Sequence, residues 1–420
     1  MAHFWQAVFW KALRTGDWLT AERVRSHCLI LIGIGCLAII GWIALSHDLV
    51  DRNGKPIGTD FSSFYTAGSL ALQGKPAAAY DMAAHHAQQQ LLFGPETPYF
   101  GWLYPPIFLL LAIPLALLSY PLALAVWQIS TFALYLGVIG AILRNARRDD
   151  GPIGRLWLVT AAAFPAVFVN LGHGQNGFLS AALLGGALVA LPRRPALAGV
   201  LFGLLAYKPQ FALVVPFALL AGRQWRSIVA AGLTVIALAA VSLLVFGADT
   251  WMAFLASTEI SRRLLLEQGN VGFEKLQSAF AAIRLWGGSV MMAYLVQAVV
   301  CATVICCTAW FWRSQRDDNI NAALLIAATA LASPHILDYD LMLLGPSIAF
   351  LVAARASAPF RDYEISLLAA TWLVPLLSRG VAGATGLPLG LIVLLTFYVF
   401  VLRRAAHDHA IANDRGLAKA

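Results

Sequence analysis

Charge is what this sequence has least of. Only 12% of its 420 residues are Asp, Glu, Lys or Arg, while 60% are hydrophobic. Soluble domains carry about 25% charged residues, so this composition excludes an ordinary water-facing globule. Strands of alternating apolar and polar residues are also missing, which argues against a membrane barrel. The five cysteines (Cys28, Cys36, Cys301, Cys306, Cys307) all fall in apolar runs without metal-ligand spacing, and they read as packing residues. There is no P-loop, no dinucleotide glycine fingerprint and no HExxH helix. No low-complexity linker or soluble domain appears, so one membrane domain is expected.

What is present is a succession of apolar runs from residue 28 to residue 402, too many for a single anchor. The chain reads as an all-α polytopic membrane protein. Its net charge of +8 is no nucleic-acid footprint, because Lys and Arg sit in short clusters between the runs. Residues 1–27 read as a cytoplasmic amphipathic leader. The 19-residue run 28–46 follows a long basic segment and is expected to stay uncleaved as the first span. Residues 47–103 form the first extracytoplasmic loop, with helices over 62–73 and 79–93 lying along the membrane surface.

Orientation follows from the arginines. Arg144, Arg147, Arg148 and Arg155, then Arg193-Arg194, Arg223/Arg226, Arg313/Arg316, Arg355/Arg361 and Arg403-Arg404 all fall inside if 105–118 does not fully cross. That gives about 12 spans over 28–402, with a cytoplasmic tail at 403–420. Further spans are expected at 122–143, 156–171, 177–191, 196–208, 210–221, 227–246, 289–312, 320–333, 340–354, 364–378 and 387–402. The intervals 173–177, 207–210, 247–277, 333–340 and 378–386 are then outer-face breaks.

Polar groups at membrane depth are costly unless partnered or functional, which makes these breaks informative. Asp60, in Gly58-Thr59-Asp60-Phe61-Ser62-Ser63-Phe64-Tyr65, is either an N-cap for the helix from Ser62 or a general base. Lys208 before Pro209-Gln210 either snorkels to the interface or binds an anionic headgroup, with Gln210 at a new helix start. His173 reads as an incidental loop residue. His335 shares its break with Asp338, Tyr339 and Asp340, a density that asks for a reason. Asp338 and Asp340, two apart, would not share a helix face, so no paired-acid site is indicated. Arg262-Arg263 either meet phosphate or form a solvated pair. His85-His86 and His407/His409 read as solvated, and Gly199-x-x-x-Gly203 as a helix-packing motif.

Together these stretches resemble a known family. The first span, Asp60-Phe-Ser-Ser-Phe-Tyr65-x-Ala-Gly68, Tyr80-Asp81, Tyr104-Pro105-Pro106, Gly174-Gln175-Asn176-Gly177, Lys208-Pro209-Gln210 and Ser333-Pro334-His335 with Tyr339-Asp340 resemble glycosyltransferase family 87. That family belongs to the GT-C superfamily and includes mycobacterial polyprenol-phosphate-mannose-dependent α-mannosyltransferases. The resemblance covers about residues 28–402. It implies the GT-C fold and a polyprenyl-phosphate sugar donor, a lipid or glycan acceptor, and chemistry on the extracytoplasmic face of the inner (plasma) membrane.

It also implies Asp60 as catalytic base, His335 in the active site, and no metal or other cofactor. Tyr65, Tyr104, Gln175, Asn176, Lys208, Gln210, Arg262, Arg263 and Asp340 are the candidate substrate-binding residues. The alternative from another class is a polytopic transporter or flippase for a lipid-linked glycan. A non-catalytic membrane subunit is a third reading, under which Asp60 would be dispensable.

Overall fold

The computed structural model describes residues 2–47, 49–145, 152–313, 318–354 and 360–417. Arg147, Arg148, Arg316 and Arg355 lie outside them, as does the side chain of His409. No strand occurs among the described residues, only three isolated bridges. Helices dominate because lipid offers backbone groups no partners and each segment must satisfy its own.

The chain opens with α1 (Ala2–Thr15) and α2 (Ala21–Ala44), joined at a left-handed Gly16. The loop region holds α3 (Thr59–Leu72) and α4 (Met82–Phe93), followed by the short α5 (Leu109–Ala116). Then come α6 (Tyr120–Asn145), α7 (Pro152–Ala162), α8 (Pro165–His173), α9 (Gly177–Ala190) and α10 (Pro195–Leu204). After these run α11 (Val215–Ala221), α12 (Trp225–Ser261), α13 (Ala279–Leu285) and α14 (Val290–Trp312). The last four are α15 (Asp318–Ala332), α16 (Leu344–Ala354), α17 (Glu364–Thr385) and α18 (Leu389–Leu417).

Among the described residues six helices (α2, α6, α12, α14, α17, α18) are long and apolar enough to cross a membrane. The α7–α8 pair, bent by 41° ahead of Pro165, makes a seventh if it counts as one span. α9, α10 and α15 are apolar but shorter. At 1.5 Å per residue a 14-residue helix reaches about 21 Å, less than the ~30 Å hydrocarbon core. Polar breaks such as 173–177 and 207–210 cut these runs short. α5 is shorter still, at 8 residues. The long helices face lipid: Leu37 and Ile40 on α2, and Leu233, Ile236 and Leu244 on α12, are exposed. The core centres on α15 and α16, where Leu324, Leu325, Ile326 and Leu351 are fully buried.

Two expected loops are partly helical. α12 bends at Gly247 (φ +79°) and continues to Ser261, and α17 runs through 378–385 to Thr385. Beyond Gly247 the segment packs an aromatic face inward, with the Phe254 ring 5.7 Å from Tyr80. Tertiary packing therefore extends the helix past the polar residues.

The loop between α2 and α5 is pinned down as a cap. α3 lies directly on α5, because a Cβ at Gly68 would come within 2.4 Å of the Ala112 carbonyl oxygen. Phe64 meets Trp102, Tyr104, Phe108 and Trp127 edge-on at 5.3 to 6.1 Å, contacts worth ~0.5–1.5 kcal/mol each beyond burial. On α4, Gln89 exchanges hydrogen bonds with the backbone of Phe100, and His86 bonds the Thr97 carbonyl. His85 is fully buried against Ser63 and Tyr99. Burial lowers its pKa to about 4, helped by His86 and opposed by a backbone contact at Phe100. The sequence had suggested solvated histidines; the structure buries one and ties the other to the backbone.

Candidate active site

The site is built where α3, the α8–α9 turn and the 333–340 break meet. α3 starts at Thr59 with a left-handed Gly58 as N-cap and no side-chain cap. Asp60 therefore does not cap the helix. It sits in the first turn, where the helix dipole favours a carboxylate by ~0.3–1 kcal/mol. Its side chain is 28% exposed, and its Oδ2 accepts from Gln175 Nε2 at 3.0 Å.

Gln175 is held from three sides. Its Oε1 accepts from the Tyr104 hydroxyl at 3.3 Å and from the Asn176 N–H at 2.9 Å, which fixes the direction of its amide. The turn itself is anchored by Trp127 Nε1 donating to the Gly174 carbonyl. Gly174 has φ +64°, and a Cβ there would lie 2.5 Å from the Phe61 Cβ. Only glycine lets this turn rest on α3. Asn176 is fully buried near the Tyr104 hydroxyl, with no hydrogen bond of good geometry to its amide among the described residues.

Behind this turn lies a buried ion pair. Lys208 Nζ is 2.6 Å from Asp340 Oδ1, with the two side chains 4% and 1% exposed. Asp340 Oδ2 also accepts from the Leu337 N–H, and the Lys208 ammonium faces the Phe211 and Tyr339 rings at 5.1 and 5.2 Å. His335 is half-buried in the same break. Burial pulls its pKa down, while Asp340 pushes it up and Lys208 lowers it. Asp338 and Asp340 diverge as their spacing requires. Asp340 meets Lys208, whereas the buried Asp338 accepts from the Tyr339 N–H at 2.9 Å. Burial raises the Asp338 pKa, and the Tyr339 N–H together with the fields of His173, Arg379 and Lys275 opposes the rise.

Other candidates sit differently. The Tyr65 hydroxyl donates to the Leu118 carbonyl at 2.8 Å, which holds the cap together. Gln210 is half-buried in the turn Pro209–Ala212. Arg262 pairs with Glu267 and Arg263 with Glu259, and both arginines are exposed.

Sequence reasoning passed over several residues. His173, read as incidental, has Nδ1 2.8 Å from Thr59 Oγ1 and 4.0 Å from Asp60 Oδ2. Asn170 is fully buried, donates to the Tyr339 carbonyl and accepts from the Gly177 N–H, so it ties α8, α9 and the 333–340 break together. Its signal was an amide inside an apolar run, a place where polar side chains need partners.

Comparison with known proteins bears on this geometry. The model of glycosyltransferase family 87 matches residues 102–334, more than half of the chain. A curated relative from Mycolicibacterium smegmatis is 26% identical over 235 residues, covering 54% of this chain and 52% of that protein. It is described as a polyprenol-phosphate-mannose-dependent alpha-(1-2)-phosphatidylinositol pentamannoside mannosyltransferase. The match thus spans about half the length of that relative. No solved structure matches the chain. The family match includes Tyr104, Gln175 and Lys208 but stops short of Asp60 and His335, so their place in the site rests on the geometry above.

Proposed function

This chain belongs to glycosyltransferase family 87, and we propose on that footing that it moves a sugar from a polyprenyl phosphate to a lipid or glycan acceptor. The observation that carries the reading is the partly open Asp60 carboxylate, clamped through one oxygen by Gln175. Among the described residues no hydrogen bond reaches Oδ1, which is left to receive a proton. Mannose is the sugar named for the relative; another hexose or a pentose fits the same chemistry.

In an inverting displacement the acceptor oxygen bonds to the anomeric carbon as the bond to the lipid phosphate breaks. The electron pair leaves with the phosphate, and the hydroxyl proton passes to Asp60. A positioned base of this kind contributes ~10²–10⁴-fold. Phosphate is a good leaving group, so cationic stabilisation suffices for departure. Lys208 is already neutralised by Asp340, and its pairing favours a role in shaping the floor beneath Tyr339. His335, beside that pair, remains a partner for the donor.

The fold is read as GT-C with about 12 crossings. These are the six long helices, the α7–α8 pair, and α9, α10, α11, α15 and α16. With the arginine clusters inside, Asp60 opens to the extracytoplasmic side of the inner membrane. The test is to incubate purified protein with a panel of polyprenyl-phosphate sugars and follow lipid-phosphate release. Release with none of them, alongside transport of an intact lipid-linked glycan, would favour the flippase reading instead.

A further inference from the structure

The helix that runs into the 333–340 break needs partners for its last carbonyls, and the break does not supply them all. An α-helix leaves its final four C=O groups unpaired. α15 ends at Ala332, and Pro334 brings no N–H and turns the residue before it away from helix. The His335 N–H, which in a continuing helix would meet the Leu331 carbonyl, donates to Ser333 Oγ instead. Leu331 and Ala332 are buried, and a buried carbonyl without a partner is costly.

The partner comes from α14. Gln297 Nε2 donates to the carbonyls of Leu331 and Ala332 at 3.0 and 3.1 Å, and its Oε1 accepts from the Phe280 N–H at 3.1 Å. Gln297 is 4% exposed. A polar side chain inside an apolar span is expensive unless partnered, and this one amide closes three backbone groups on two other helices. It holds the end of α15 against the start of α13.

A second tie lies just ahead of α13. The Gln277 N–H donates to the Ile336 carbonyl at 2.8 Å, and Leu276 bridges Leu337. The α13 segment therefore grips the break twice, at 331–332 through Gln297 and at 336–337 through its own backbone. His335 stands between the two grips. Beyond it, Asn170 holds the Tyr339 carbonyl.

The titratable groups on the three helices are Arg284 on α13, Tyr294, Cys301, Cys306 and Cys307 on α14, and Asp318 at the far start of α15. The Tyr294 hydroxyl and the Arg284 guanidinium both turn to Glu267, and Tyr398 of α18 turns to Thr308 and Val304. His335, Asp338 and Asp340 belong to the break itself. All three bonds of the Gln297 amide go to backbone.

We propose that Gln297 is a positioning residue, which sets where His335 stands in the site and through it the grip on the phosphate of the lipid donor. This rests on the transferase reading, in which His335 is a partner for the donor. Gln297 acts only through the break, because its amide is spent on the ends of α13 and α15.

The experiment measures binding of polyprenyl phosphate to full-length protein in detergent for wild type, Gln297→Met, His335→Ala and the double variant. Met keeps the length of the side chain without its three hydrogen bonds. Gln297→Met should weaken binding by about tenfold or more, the scale of one hydrogen bond to a charged group, and His335→Ala by at least as much. The double variant should bind no more weakly than His335→Ala alone, since a residue that acts through another is not additive with it. Wild-type affinity in Gln297→Met would overturn the proposal. So would additive losses in the double variant, the mark of a general loss of packing.

Should Gln297→Met fail to fold, Gln297→Glu decides. A protonated carboxyl donates to one carbonyl and accepts from Phe280, whereas an ionised one only accepts, and burial keeps such an acid protonated to higher pH. Compared with wild type at the same pH, its affinity should be near normal at pH 6 and about tenfold weaker at pH 8.5. A constant ratio over that range would count against the role. Because binding is read without turnover, the failures separate. Additive losses beside tight wild-type binding sink the role of Gln297 alone, whereas polyprenyl phosphate that does not bind wild type sinks the donor reading and this role with it.

Discussion

Gln175 Nε2 lies 3.0 Å from Asp60 Oδ2, and 4.0 Å from the same oxygen is Nδ1 of His173. The end of α8 and the turn into α9 therefore supply both neighbours of this oxygen, and among the described residues no hydrogen bond reaches the other one. A base held this way needs no reorganisation when the acceptor arrives.

His173→Ala should lower kcat by about 10- to 100-fold, the scale of a misplaced reacting group, with donor KM nearly unchanged. Asn reaches the position of Nδ1 and should restore kcat. Gln, which reaches only the position of Nε2, should not. Steady-state kinetics on the three variants checks this; equal activity of Asn and Gln variants would reduce His173 to a space-filling role.

The Lys208–Asp340 pair is buried on both sides. Removing one partner leaves a buried charge alone, at a cost of about 3–5 kcal/mol. Lys208→Met should lower the denaturation temperature in detergent sharply, and Lys208→Met with Asp340→Asn should recover much of the loss. Independent, additive losses in the double variant would show that the two side chains are not coupled.

Gly174→Ala would strain a left-handed residue and push a Cβ into Phe61. We expect a loss of about 1–3 kcal/mol and displacement of Gln175 from Asp60. Activity should fall more than the stability loss accounts for when assayed well below the melting temperature. Gly172→Ala, two residues earlier with nothing within 4 Å of an added Cβ, is the matched control.

His85 gives the loop cap an acid sensitivity. Folding keeps it neutral down to about pH 4, whereas the unfolded imidazole takes a proton near pH 6.5. Between those values the unfolded state binds more protons, so stability rises with pH there. The contribution is fully present above about pH 6.5 and is lost as pH falls toward 4, amounting to roughly 3 kcal/mol. Proteolysis rates of the 76–103 segment at pH 5 and pH 7.5, for wild type and His85→Phe, should show the difference shrinking in the variant.

The all-helical membrane class and the polar breaks at 173–177, 207–210 and 333–340 were readable because lipid imposes long apolar runs and makes every interrupting polar group conspicuous. Asp60, Lys208 and Asp340 stood out for that reason, and Gln175 through the family resemblance. Pairing was not readable. Nothing in sequence spacing tells that Lys208 meets Asp340, 132 positions away, or that Asp338 turns to a different set of partners. His173 looked incidental because its role depends on the fold of Gly174, which brings the turn onto α3.

The most direct measurement is lipid-phosphate release by Asp60→Asn. The amide still accepts the Gln175 hydrogen bond but cannot take the acceptor's proton. The account predicts turnover reduced by at least about 10²-fold, with normal expression and unchanged binding of the polyprenyl-phosphate donor. Wild-type rates of sugar transfer by that variant would contradict it.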